Sequence, residues 1–177
     1  MEQGLERRLE ALEVRMLSLE GKRGAGEPLA PGDADPFWVL RGLAARGVDG
    51  VLFAGRVEAP GQGGVEWQYG LSTPALLGQT WDGAAPAFAA LGHPARLRLL
   101  RAVLAGKTRR ADLAGLEDVG STGQLYHHLR ELVAAGWLRP AGRGEHRVPP
   151  ERVVPLLTML AATGSLDPHA GEQAGQV

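Results

Sequence analysis

The stretch STGQLYHHLRELVAAGWL, Ser121 to Leu138, decides how this chain is read. Ser121 and Gln124 form an S-x-x-Q capping box, the local signal of a helix start: the serine accepts from the N3 amide and the glutamine reaches back to the N-cap amide. Leu125, Leu129, Leu132 and Val133 then recur on one helical face, and Gly136 stops the helix. With those residues turned inward, Gln124, His127, His128 and Glu131 occupy the outer half. The pattern predicts an amphipathic helix whose outer face is polar and carries histidine.

Working outward, AAPAFAALG and HPARLRLLRAVLAG upstream read as helices, the second with Leu97, Leu100, Val103 and Leu104 on one stripe. RRADLAGL gives a short helix between them and Ser121. Downstream, WLRP and EHRV read as two short strands around AGRG, a tight basic hairpin. ERVVPLLTMLAA is apolar almost all round, which predicts a helix buried against a second copy of the chain through Val153, Leu156, Leu157 and Leu160. A helix pair with a tight connection, the second helix polar on one face and a basic hairpin directly after it, is the order of a winged helix-turn-helix.

Residues 88–162 resemble the winged helix-turn-helix of the ArsR-like bacterial transcription regulators. The stretches that carry the resemblance are LGHPARLRLLRAVLAG, STGQLYHHLRELVAAGWL and GRGEHRV, in the places of the preceding helix, the recognition helix and the wing. The resemblance implies a DNA-binding regulator, most often a repressor. The N-terminal part of a recognition helix meets base edges in the major groove. Gln124 can then pair with adenine, Thr122 can donate to a base or phosphate, and His127 can donate to guanine or meet a phosphate. Tyr126 sits at the boundary, and Gly123 allows close approach of backbone to DNA. His128 occupies the family's "HL" position, where a half-buried histidine bonded to backbone competes with a DNA contact. Arg143 at the wing tip, with Arg147 behind it, suits phosphate or the minor groove, and Lys107, Arg109 and Arg110 suit the flanking backbone. For the three residues before the short helix, a solvated basic surface is the competing reading.

Charge is segregated in a way that fits a polyanion. Residues 1–87 carry 8 basic and 12 acidic side chains, residues 88–162 carry 11 and 6, and the whole chain is at −1. Arginine richness alone says little, because 17 arginines against 2 lysines, with no asparagine or isoleucine, is the usage of a high-GC genome.

The N-terminal half carries no part of the resemblance. Leu5, Leu9, Leu12, Met16 and Leu19 make a heptad seam over residues 1–20, and Arg8 and Arg15 at g with Glu13 and Glu20 at e favour a parallel coiled coil. A lone amphipathic helix on the chain's own body is the alternative. GKRGAGEPLAPGDAD, residues 21–35, reads as a linker. Within residues 36–82, Asp35 and Pro36 are expected to open a helix that Gly47 ends, followed by a hairpin of 48–58 with 64–71. Trp67, Tyr69 and Trp81 there either line a small-molecule pocket or make core and dimer contacts. Residues 83–163 make the DNA-binding unit, and the tail 164–177 is expected to be disordered.

The absence of cysteine excludes disulfides, thiolate metal sites and cysteine nucleophiles. GKT at Gly106 to Thr108 fails as a nucleotide loop, because the earlier glycine such a loop needs is Arg101. Asp167 with His169, or His127 with His128, supply too few ligands for a closed metal site. No catalytic constellation is present, so no enzyme activity and no cofactor are expected. The expectation is an α+β protein, mainly α with small β elements: a cytoplasmic homodimeric transcription regulator reading an inverted repeat of double-stranded DNA. A small-molecule effector, if one exists, would act through residues 36–82. The competing function is a winged helix that regulates a partner protein.

Overall fold

Glycine and proline punctuate the chain, and regular elements fill the intervals between them. The computed structural model describes residues 37–165, so the heptad seam through Leu5, Leu9, Leu12, Met16 and Leu19, the linker 21–35, Asp35, Pro36 and most of the tail lie outside the described residues. The described residues divide into two compact units, one of residues 48–158 and one that holds residues 37–47 and 159–165. In the latter, helix α1 runs Trp38–Ala45 and ends where Gly47 takes φ +62°, a left-handed conformation that glycine adopts without a Cβ penalty. The helix begins two residues after the expected Pro36 start, with Phe37 at its N-cap and no side-chain cap.

In the larger unit, β1 (Gly50–Ala59) and β2 (Gly63–Ser72) form an antiparallel hairpin with Gly55 opposite Trp67 and Val57 opposite Val65. It matches the expected pairing of 48–58 with 64–71, with one more residue on each strand at the turn and β1 starting two residues later, at Gly50. Side chains alternate across a sheet, so Val51, Phe53, Val57, Val65, Trp67, Tyr69 and Leu71 share one face while Arg56, Glu58, Glu66 and Gln68 share the other. Ser72 then caps the short helix α2 (Thr73–Leu77), its hydroxyl accepting from the Ala75 amide. Asp49 holds the hairpin base to α2 by accepting from the Thr73 amide at 3.0 Å and the Thr73 hydroxyl at 2.8 Å.

Five helices and a second, smaller hairpin follow along the chain: α3 (Ala85–Leu91), α4 (Pro94–Leu104), α5 (Arg110–Ala114), α6 (Thr122–Ala134), β3 (Arg139–Pro140), β4 (His146–Arg147) and α7 (Pro150–Ala162). Helices and antiparallel strands are both present, a mixed architecture compatible with the α+β class. The core comes from α4 (Leu99, Leu100, Val103), α5 (Leu113), α6 (Leu125, Leu129, Leu132), the segment after it (Trp137, Leu138), Val148, and α7 (Val153, Val154, Leu156). Burying each such side chain contributes about 1.5–3 kcal/mol before entropy is counted.

Two expectations about these helices need correction. The buried stripe of α4 runs through Ala95, Leu99, Ala102 and Val103, with Leu100 beside it, while Leu97 and Leu104 are partly exposed. The row is continued by the small residues Ala95 and Ala102 at i and i+7 around Leu99, positions that leucine spacing alone does not mark. In α7, Val153 and Leu156 are almost wholly buried by their own chain, so they serve its core, whereas Leu157 and Leu160 are partly exposed.

The β1–β2 hairpin is docked at its turn. The Gly61 amide donates to the Leu104 carbonyl at 3.1 Å, and a Cβ at Gly61 would collide with the Val103 carbonyl oxygen. In the orientation its bonding groups require, the Gln62 amide donates to Val148 O at 2.9 Å and accepts from Val148 N at 3.1 Å. At Gly55 a Cβ would come within 2.9 Å of Val154 Cγ1, so α7 covers this half of the apolar face. The other half is open, with Val51 62% and Tyr69 49% exposed and Phe53 tilted against Tyr69.

Candidate functional site

The capping box that opens α6 forms as the sequence predicts: Gln124 N donates to Ser121 Oγ at 3.4 Å, and Ser121 N donates to Gln124 Oε1 at 2.7 Å. That success carries a consequence for Gln124. Bidentate pairing with adenine needs the amide oxygen and nitrogen together, and here the oxygen is held by the helix's own start. Gln124 keeps only its Nε2 for an outside partner.

Leu125, Leu129 and Leu132 face inward and anchor α6, while Val133 is only partly buried. Thr122, Gly123, Tyr126 and His127 line the exposed side. A Cβ at Gly123 would meet nothing closer than Ser121 Oγ at 3.9 Å, so the chain's own packing does not require glycine there. The His127 Nδ1 lies 3.4 Å from Arg130 Nη2 and 4.0 Å from Glu131 Oε1. Where Nδ1 accepts from the arginine, Nε2 is the ring's donor, and no hydrogen bond to it occurs among the described residues.

His128 faces inward and is 8% exposed. Its ring lies 4.6 Å from that of His93, whose own Nδ1 accepts from the Ala95 amide and caps α4. Burial first, then the neighbouring His93, Arg96 and His127, holds the His128 imidazole below its ordinary range. Its buried Nδ1 has no hydrogen-bond partner among the described residues, and neither does the buried Nε of Arg96. His128 is therefore a packing residue of the α4–α6 contact and lacks the expected backbone bond at Nδ1.

The small hairpin stands beside α6. Its turn is built on three successive left-handed residues, Gly142 (φ +85°), Arg143 (φ +48°) and Gly144 (φ +79°). Thr108 to Arg110 adds a third strand-like segment: His146 N donates to Thr108 O at 2.8 Å, Arg110 N donates to Gly144 O at 3.1 Å, and Arg109 bridges Glu145. The Arg109 side chain also pairs with Glu145 at 3.4 Å. Arg110 lies over the Tyr126 ring at 5.6 Å, with its guanidinium packed against Gly144.

The structure thus brings Arg110, Tyr126 and Arg143 to one groove between α6 and the hairpin. It does not bring Arg147 there. Successive strand residues point to opposite faces, so His146 turns to the groove and Arg147 turns to the β1–β2 turn, beside Gly61 and Thr108. Lys107 lies apart again, with Arg98 and Arg101 at the end of α4.

Two groove residues escape the sequence reading. Arg130 was legible as the i+4 neighbour of Tyr126 on the exposed face. His146 is 8% exposed, and burial followed by the Arg110 charge lowers its pKa. Only the inward alternation of a two-residue strand marks it. Among the described residues no group of three histidine or acidic side chains is placed to hold a metal, and no helix is long and apolar enough to cross a membrane. No family model, curated protein or solved structure matches this chain.

Proposed function

We propose that the chain is a DNA-binding transcription regulator in which α5 and α6 form a helix-turn-helix and the β3–β4 hairpin is its wing. The observation that carries this reading is an exposed polar helix start with arginines beside it that have no ion-pair partner among the described residues. Thr122, Gly123, Tyr126 and His127 project from the first two turns of α6, and Arg110 and Arg143 flank them on the hairpin side. A helix N-terminal half enters the major groove while the basic flanks follow the phosphates. His127 Nε2–H and the Thr122 hydroxyl then supply donors to guanine or phosphate oxygen. Gln124 supplies one donor from Nε2 while its oxygen continues to cap the helix.

As a homodimer the protein would present two such helices to an inverted repeat with half-sites about 10 bp, or a multiple, apart. Leu157 and Leu160 of α7 and the residue 1–20 seam are the surfaces for that dimer, since Val153 and Leu156 are used inside the protomer. Promoter occupancy by such a dimer would repress. Selection of duplexes from a randomised pool by the full chain tests the reading. Enrichment of an inverted repeat is the expected outcome, and a pool that stays random at low salt contradicts it.

A further inference from the structure

The groove between α6 and the β3–β4 hairpin brings three arginines together with a single carboxylate, Glu145, among the described residues. Three arginines are paired with a carboxylate: Arg56 with Glu66 at 3.2 Å, Arg98 with Asp118 at 3.4 Å and Arg109 with Glu145 at 3.4 Å. Arg110, Arg130 and Arg143 all line the groove, and among the described residues none of them has an ion-pair partner. Glu145, the one acidic residue lining it among the described residues, is already engaged by Arg109.

Two of these arginines are held in place by their surroundings. Arg110 lies between the Tyr126 ring and Gly144, where a Cβ on residue 144 would come within 3.0 Å of its Nη2. Arg143 takes φ +48° at the turn tip, a left-handed conformation that disfavours any residue with a Cβ. His146 lines the same groove, more than nine-tenths buried, and its Nδ1 has no partner among the described residues. The space between them is about 350 Å³, ample for a phosphate and the group esterified to it.

We propose that this groove is a phosphate-ester site, in which Arg110 and Arg143 grip the oxyanion from its two walls and His146 meets it from within. Guanidinium groups suit the site because their parallel donors match two phosphate oxygens at once. The ester has two possible sources, a nucleic-acid backbone threading the groove or a free phosphorylated small molecule. The first source rests on the reading under Proposed function, and the second stands without it.

The test follows the imidazole resonances of the full-length, histidine-labelled protein, with His146 assigned by its loss in His146→Gln. Inorganic phosphate is added at constant ionic strength against chloride, and then a short duplex. The expected result is a saturable shift of His146 with phosphate, weakened at least about tenfold in Arg110→Gln and in Arg143→Ala and unchanged in Arg56→Gln. Two groove variants guard against one that fails to fold, which circular dichroism reports. A duplex that displaces the phosphate identifies the backbone source. Phosphate binding that no duplex displaces identifies the free ligand, and it supports the groove even if DNA binding itself fails. No saturable response of His146 to phosphate or duplex overturns the proposal, as does a response that Arg56→Gln weakens equally. A duplex that binds through α6 while His146 stays silent overturns the groove and leaves the regulator standing.

Discussion

Trp137 and Trp81 show how differently two parts of one unit are finished. Each indole N–H is satisfied by a backbone carbonyl, Trp137 by Ala87 O at 3.0 Å and Trp81 by Leu76 O at 2.9 Å. Yet Trp137 is 1% exposed, with Arg152 over its ring, and Trp81 is 67% exposed. The same contrast runs through the surrounding elements. From α4 to α7 each helix buries apolar side chains against the body, whereas the β1–β2 hairpin has an apolar face that α7 covers only at the Gly55 end. A satisfied polar group therefore says nothing about whether a residue supports the fold. Enclosure decides that, and it separates the helical body from the hairpin attached to it.

Truncation should separate them most sharply. Trp137→Ala should cost about 3–5 kcal/mol in urea unfolding, through lost burial and the cavity left behind. Trp81→Ala should stay within about 0.5 kcal/mol, as for other exposed positions. Equal losses would mean that Trp81 is enclosed in the folded protein in solution.

Next in size is the joint between the two regions. Gly61→Ala puts a methyl group into the Val103 carbonyl and should cost about 1–3 kcal/mol. Amide exchange should then quicken in β1 and β2 while the amides of α4 and α6 remain protected. Uniform exchange would show that hairpin and body unfold as one cooperative piece.

A pH series sharpens the account of the body alone. His128 and His146 are both held below the ordinary histidine range, chiefly by burial. The unfolded chain therefore binds more protons than the native one between the ordinary value near 6.5 and the lowered native values. Stability is complete above that ordinary value and falls as pH drops through the window below it. The urea midpoint should decline from pH 7.5 to 5.5, roughly, ahead of any carboxylate titration, and His128→Leu should flatten the decline. An unchanged slope in that variant would place the effect elsewhere.

The smallest effect belongs to the cap of α6. Ser121→Ala should cost about 1 kcal/mol, and Gln124→Glu should cost less, because a carboxylate still accepts from the Ser121 amide. Thermal melts of the two variants give the comparison directly.

Much of the body was legible because local and tertiary signals agree there. The capping box fixes the start of α6, the leucine spacing fixes its inner face, and glycines at 142 and 144 fix the hairpin turn. The hairpin of 50–72 was legible too, since period-2 alternation and a glycine-rich turn point the same way. What escaped depends on distant partners. The His93–His128 contact joins residues that only the crossing of α4 and α6 brings together. In α7, a helix apolar all round does not say which side its own chain will claim. That side proved to be Val153, Val154 and Leu156. The Arg147 placement was missed for a similar reason: a two-residue strand leaves too little alternation to tell its faces apart.

The central claim is that the exposed start of α6 and the arginines beside it meet DNA. Fluorescence anisotropy of the full chain tests it most directly, using a duplex from upstream of its own gene and a scrambled duplex, at low and moderate salt. Gln124→Glu keeps the helix cap while placing a negative charge where a donor stood, so it perturbs the readout without undoing the helix. The account predicts tighter binding to the gene's own duplex, a steep loss of affinity with salt, and loss of the preference in Gln124→Glu and His127→Ala with the fold intact. Binding that ignores salt, or a preference that survives both substitutions, would contradict it.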